Sequence, residues 1–319
     1  MIRVVIALLC LLAAPLAQAQ TYPNRPVRIV VPFPPGAATD TLGRLIAQRL
    51  TESWGQPVTV DNRPGAGSII GAETSAKSAP DGTTIFMGHI GTHGANPALY
   101  AKLPYDPVRD FAPVSLLVTI PNLLAVHPSL PVASVRELID LAKSKPGALN
   151  IGSPGISTSS HLIIALFGSL TGTSMTHIPF KGTVAAMQGF VGGDVQVAFD
   201  TVTALMPHAR AGKVRVLAIT SKDRSATAPD VPPLAESGVP GFDVSTWFAF
   251  FVPTGTPRAV IDRVNADVVR IMQTKDMSER LQGMGMNVVA SSPEQLATHV
   301  NSEIARWGRV VKEANIKVE

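Results

Sequence analysis

The chain has 319 residues, with 27 Lys and Arg against 23 Asp and Glu and a formal net charge of +4. Those charges are mixed along the chain with no basic stretch interleaved with aromatics, which excludes a nucleic-acid surface and suits a soluble protein mildly attractive to anions. Cys10 is the one cysteine. Everything after it therefore lacks a disulfide, a thiol nucleophile and a cysteine metal site.

The first predicted element is a leader over residues 1–19. Arg3 supplies a positive start, Val4 to Ala14 an apolar run, and Ala17-Gln18-Ala19 a small-x-small cleavage site. A membrane helix needs roughly 20 apolar residues, and Gln18 and Gln20 interrupt the run. Cys10 follows Leu9 inside that run, which does not suit a lipoprotein. Export to the periplasm is expected, with cleavage near Ala19-Gln20. The leader removes only Arg3, so the charge falls from +4 to +3. A mature chain of about 300 residues buries about three-quarters of its unfolded surface, and such a length commonly divides into two lobes.

Val27 to Val31 is a β-branched run suited to a buried parallel strand. Leu42, Leu45, Ile46 and Leu50 recur at helical spacing, with Arg44, Gln48 and Arg49 turned away. A strand at Val58 to Val60, a helix from Ser68 to Lys77 and a strand at Thr84 to Met87 follow. Val114 to Val126 is a long apolar strand that crosses between lobes. Ser134 and Glu137 predict a capping box. Strands are then predicted at Leu149 to Ile151, Met175 to Ile178, Val195 to Phe199 and Val214 to Thr220. Helices are predicted around Leu162 to Leu170 and from Thr183. Val244 to Val252 is a second crossing. A helix after Pro257 and a last one opened by Ser292-Pro293-Glu294-Gln295 complete the chain. Alternating strands and helices predict an α/β class with doubly wound sheets. The first lobe is expected to hold residues 20–120 and 250–319, and the second residues 121–249. Such a hinged pair encloses a cleft where small ligands bind.

Candidate contacts lie in three loops at strand ends. In the first, Phe33, Pro35, Gly36, Ala37, Thr39 and Asp40 join a strand to a helix start. Free N–H groups and positive dipole character there suit an anion; the alternative is a stiff turn with Thr39 or Asp40 as a cap. In the second, Ser153, Gly155, Ser157, Thr158 and His161 repeat the arrangement in the other lobe, with more hydroxyls than one cap needs. The third carries Thr92, His93 and Asn96. His89 and His93 are four apart, but glycines at 88, 91 and 94 favour a loop and no carboxylate completes a metal site. No metal and no cofactor is expected. Lys181 either attracts an anion or is simply solvated. Asp200, like Asp40, reads as a structural group that could instead pair with a ligand amine. Gly65-Ala66-Gly67 with Gly71 misses the dinucleotide spacing, and no G-x-S-x-G elbow is present. A hydrolase using His161 with a nearby serine is the enzyme alternative, and it is not favoured.

The stretch Tyr22-Pro23-Asn24-Arg25-Pro26-Val27-Arg28-Ile29-Val30-Val31-Pro32-Phe33-Pro34-Pro35-Gly36 resembles the mature start of the tripartite tricarboxylate transporter receptors, the Bug family. Asp61-Asn62-Arg63-Pro64-Gly65-Ala66-Gly67, Pro80-Asp81-Gly82-Thr83-Thr84, His177-Ile178-Pro179-Phe180-Lys181-Gly182 and Leu217-Ala218-Ile219-Thr220-Ser221 resemble family segments in the same order. The resemblance covers essentially the whole mature chain. It implies a type II periplasmic binding-protein fold and a ligand carboxylate held by the first- and second-lobe loops, partly through water. It also implies delivery to a membrane permease or, in some relatives, to a sensor. Ala37 stands where the family commonly has a second glycine, and Phe180 where it often has tyrosine. Both changes point to a more apolar ligand body.

The expected function is therefore a monomeric receptor that closes on a small mono- or dicarboxylate, without catalysis. Micromolar capture needs about −8 kcal/mol. Four to six hydrogen bonds to a charged group, at roughly 1.5–3 kcal/mol each, reach that range after the costs of association.

Overall fold

The computed structural model describes residues 22–316; the expected leader lies outside them. No helix among the described residues is long and apolar enough to cross a membrane.

Strand β1 (Val27–Val31) lies between β2 (Val58–Asn62) and β3 (Thr84–His89), all parallel. Its Val27, Ile29 and Val31 point into one core and Val30 into another, so both faces are covered. Helix α1 (Ala38–Trp54) buries Leu42, Leu45, Ile46 and Leu50 and exposes Arg44, Gln48 and Arg49. It ends at Gly55, whose φ of 64° lets its N–H reach the Thr51 carbonyl. Helix α2 (Ile69–Ala76) returns the chain to β3.

The glycines after β3 do not make a loop. Gly91–Ala95 form a π-helical turn that runs into the short α3 (Asn96–Leu99). The wide turn is held by tertiary contacts: Thr92 Oγ1 donates to the His89 carbonyl, and the Tyr105 hydroxyl donates to the Thr92 carbonyl.

Strand β4 (Phe111–Val126) organises the molecule. Up to Pro121 it pairs with β9 (Ser245–Pro253), and Val118 and Thr119 also pair with the two-residue β10 (Asn287–Val288). From Asn122 it pairs with β7 (Val197–Thr201) and, from Leu123, with β8 (Arg215–Ile219). β7 then continues to β5 (Asn150–Ser153) and β6 (Thr176–Pro179), all parallel. The strand order is β2-β1-β3-β9-β4-β7-β5-β6. The second crossing is short: the Val244 N–H still bonds to the Thr220 carbonyl, but Ser245 already pairs with Pro121. Residues 245–249, expected in the second lobe, thus lie in the sheet of the first.

Around β5–β8 sit α4 (Val135–Ser144), α5 (Ser159–Thr171), α6 (Thr183–Gly192) and α7 (Val202–Arg210). Helix α7 has no counterpart in the sequence reading, because Pro207 breaks its pattern; it is nevertheless capped by Thr201, which accepts the Ala204 N–H. The Ser134 box is half-formed: Ser134 accepts the Glu137 N–H, but Glu137 reaches back to Ala133. Helices α8 (Arg258–Met272), α9 (Lys275–Gly283) and α10 (Pro293–Glu313) close the chain. Helix α9 is too polar to have been expected, and Pro257 caps α8 rather than entering it. The capping box of α10 is complete.

Helix α10 contributes Leu296, Val300, Trp307 and Val311 to one apolar cluster that also holds Phe251 near β3 and Phe167 and Phe199 of the second half. Within that cluster Glu303 Oε2 accepts both the Trp247 and the Trp307 indole N–H, at 2.9 and 3.1 Å. Glu303→Leu leaves two buried donors without an acceptor, at roughly 1–3 kcal/mol each. A loss of about 2–6 kcal/mol in urea unfolding is expected, and an unchanged midpoint would contradict this role.

Candidate ligand-binding cleft

Four helix starts converge where the two halves meet. Ala37, Ala38 and Thr39 come from the head of α1, and Thr158, Ser159 and Ser160 from that of α5. Thr183 opens α6 and Thr201 caps α7. With Phe33, His89, Pro154, Asp200, Thr246 and Phe248 they enclose an inner chamber of about 40 Å³. One water needs roughly 10–15 Å³, so the space suits a group the size of a carboxylate. Helix starts present N–H groups that have no intrahelical acceptor, with positive dipole character. An outer chamber of about 670 Å³ adjoins it, sharing Phe33, Pro154 and Thr158. Its walls are mostly apolar: Pro32, Pro34, Ile156, Pro179 and Phe180, with Tyr100, Gly155 and the exposed Lys181.

The hinge lies directly behind. Thr220 Oγ1 accepts the Asn122 N–H at 2.9 Å and donates to the Val244 carbonyl at 2.7 Å, tying both crossings together. Thr246 Oγ1 lies 2.7 Å from Asn122 Oδ1 and 2.6 Å from Ser159 Oγ, joining the second crossing to the start of α5. All five residues are buried.

Two residues that line the inner chamber each bury a polar side-chain atom with no protein partner. His89 Nδ1 accepts the Gly91 N–H at 3.0 Å, so the ring proton sits on Nε2, which is buried and unpartnered. Burial lowers the His89 pKa to about 3, which keeps the ring neutral. Asp200 Oδ1 accepts the Thr201 N–H at 2.7 Å, while Oδ2 has no partner. Burial raises the Asp200 pKa to about 7, against the smaller opposing effect of the Thr201 hydrogen bonds.

The sequence-predicted residues divide. Phe33, Ala37, Thr39, Thr158 and Asp200 line the inner chamber, and Gly155 and Lys181 the outer one. The others stand outside both. Pro35 and Gly36 are exposed, and the Gly36 N–H is already bonded to Asp40 Oδ2. Asp40 caps nothing at its own helix start, where Ala37 is the N-cap; it binds Arg44 and Asn62 instead, and its carboxyl stays below the usual range despite partial burial. Thr92 braces the π-turn, and His93 is stacked on Phe251 with ring centroids 3.8 Å apart. Asn96 binds the Tyr105 hydroxyl and the Gly67 carbonyl. Ser153 Oγ lies 2.7 Å from His177 Nε2. The Thr158 hydroxyl donates to the Gly155 carbonyl and accepts the His161 N–H, so the cap occupies it.

His161 faces away, into a surface hollow of about 410 Å³, stacked on His177 at 4.8 Å. Its Nδ1 receives the Ser157 backbone N–H rather than a serine hydroxyl, and burial lowers its pKa to about 4. Ser157 has a different place: its φ is +60°, its Oγ lies 3.2 Å from the Tyr100 hydroxyl, and it packs on Gly67 and Gly91 of the other half. A Cβ on Gly91 would overlap the Ser157 carbonyl oxygen. Among the described residues no three metal-ligating side chains gather. Sequence reasoning did not assign His89, Ser159, Ser160, Thr183, Thr201 and Thr246 to the ligand, although each stands within three residues of a predicted strand or helix end.

Two α/β halves joined by two crossings, with facing helix starts around a buried chamber, define a type II periplasmic solute-binding protein. Residues 42–316 match the family described as the tripartite tricarboxylate transporter family receptor, and the chain belongs to that family. Protein BugT of Bordetella pertussis is 38% identical over 309 residues, covering 97% of this chain and 94% of BugT. Rpa4515 of R. palustris, solved with adipate, superposes with a TM-score of 0.89 at 38% identity, covering 93% of this chain and 99% of that one. MatC from Rhodopseudomonas palustris, solved with bound malate, gives 0.87 at 38% identity over 91% and 100% of the two chains.

The Asp200 carboxyl has a stability signature. In the unfolded chain it ionises near its ordinary value of 3.8, whereas in the folded protein it keeps its proton to about 7. Unfolding therefore releases a proton between those values, and stability present below about pH 4 is lost as pH rises through 7. The melting temperature of Asp200→Asn relative to wild type is expected to rise from pH 4 to pH 8. Parallel melting curves across that range would show that this carboxyl is not buried as described.

Proposed function

We propose that this protein captures a short dicarboxylate with an apolar spacer and delivers it to a tripartite membrane permease. The observation that carries the proposal is the pairing of chambers. An inner space of about 40 Å³, ringed by four helix starts, suits one carboxylate; an adjoining space of about 670 Å³ with apolar walls suits the carbon chain. Lys181 at the outer wall attracts the distal carboxylate. The adipate of Rpa4515 is an acid of this class, and the malate of MatC is a short dicarboxylate with a hydroxyl on its spacer.

The two lobes are proposed to be residues up to 121 together with 245 onward, and residues 122–244, hinged where β4 changes partners. Ligand binding would shift the population toward the closed form, since that form gains contacts from both lobes. Ser157 seated against Gly67 and Gly91 is the contact that closure makes. The receptor works in the periplasm as a monomer after its leader is cut near Ala19.

Adipate, succinate and malate should raise the melting temperature without being converted; a new product formed catalytically would refute a receptor. With the best binder, small-angle scattering should show wild type contracting. Gly91→Ala should stay at the open radius of gyration and bind at least about tenfold more weakly, because a closed-state overlap of 1.4 kcal/mol is already a factor of ten. Full contraction of Gly91→Ala would remove Ser157–Gly91 from the closure contact.

A further inference from the structure

The inner chamber carries one feature that a cage of neutral donors does not need. Asp200 is buried in the second lobe at the end of β7, 3% exposed, with Oδ1 on the Thr201 N–H and Oδ2 without a partner. His89, 2% exposed at the end of β3 in the first lobe, lines the same chamber and has a buried, unpartnered Nε2–H. A carboxylate ligand placed there shares the chamber with both a neutral imidazole and a carboxyl. Two ionised carboxylates cannot share so small a space unless a proton lies between them.

Resting on the receptor reading above, we propose that Asp200 is a specificity-determining residue: it holds a proton on Oδ2 and donates it to one oxygen of the ligand carboxylate, while His89 Nε2–H donates to the other, so that binding takes up a proton. When Asp200 is ionised beforehand, that proton comes from solvent and ends on the Asp200–ligand hydrogen bond; no other bond changes. The surroundings leave Asp200 no competing partner. β4 over 122–126, β5 and α6 carry no titratable side chain. On α5, His161 faces the opposite hollow, and on α7, His208 and Arg210 lie in the last turn, at the far end from Asp200. His89 is neutral, because its Nδ1 is engaged by Gly91 and burial opposes its charging. The raised pKa of Asp200, about 7, is consistent with a carboxyl that is readily protonated near neutral pH.

Calorimetry with adipate, or with whichever of adipate, succinate and malate binds best, in buffers of different ionisation enthalpy measures the proton directly. Uptake should approach one proton per ligand at pH 8 and fall toward zero by pH 6. The dissociation constant should rise toward tenfold per pH unit above 7, and Asp200→Asn should flatten that profile. Binding by wild type with no proton uptake and a constant affinity from pH 6 to 9 would overturn the role of Asp200 and leave the receptor reading intact. Failure of every acid to bind at any pH would overturn both. Tight binding of glutamate or aspartate that strengthens as pH rises through 7 and disappears in Asp200→Asn would make Asp200 an ammonium partner instead, and this too would overturn the proposal.

Discussion

Strand β4 serves two halves only because its hydrogen-bond partners change between Pro121 and Asn122. Pro121 has no N–H to offer a ladder, so the strand can be handed over at that point without leaving a donor unpaired. Asn122 then enters a network in which its N–H bonds to Thr220 Oγ1, Thr220 donates to the Val244 carbonyl and Asn122 Oδ1 accepts from Thr246, while Asn122 Nδ2 is buried without a protein partner. The hinge is thus a place where buried backbone groups exchange partners, and the chamber lies directly against it.

That position explains the chemistry of the cleft. The starts of α1, α5, α6 and α7 meet there because each follows a strand that ends at the hinge side of its sheet. Helix starts favour negative charge through their dipoles and through those N–H groups that have no intrahelical acceptor. Asp200 is buried in the same place, and its desolvation offsets what the dipoles offer. An anion site with its own titratable acid can change its net charge without moving a backbone atom. His89 is kept neutral by burial, and the Gly91 N–H on its Nδ1 leaves the ring proton on Nε2.

Ala37 and Phe180 both stand on chamber walls. Ala37 takes the N-cap of α1 in an extended conformation, φ −74°, which a non-glycine residue adopts without strain, and its methyl narrows the inner chamber. Phe180 packs against Gly189 and lines the outer chamber, where a hydroxyl would otherwise add a polar contact. The first change thus falls on the inner chamber and the second on the apolar wall of the outer one.

Much of the fold was written in local patterns. The alternation of β-branched runs with 3.6-periodic helices marks the elements of β1, α1, β4 and α10, since burial on one or both faces dictates those periods. Helix α7 and the π-turn at 91–95 were not legible, because Pro207 and three glycines argue against helix and only Thr201, Thr92 and Tyr105 overrule them. The site shows the same division. Phe33, Ala37, Thr39, Thr158 and Asp200 could be named from strand-end loops. Ser157, His161 and Asn96 carry the same side-chain chemistry in the same loops, yet the structure turns them toward Tyr100, His177 and Tyr105. By itself the sequence determined an α/β chain of two halves with anion-attracting helix starts. Which polar atoms face the chamber, and which are consumed in holding it closed, was decided only by tertiary structure, because a hydrogen bond depends on direction and on neighbours far away in the chain.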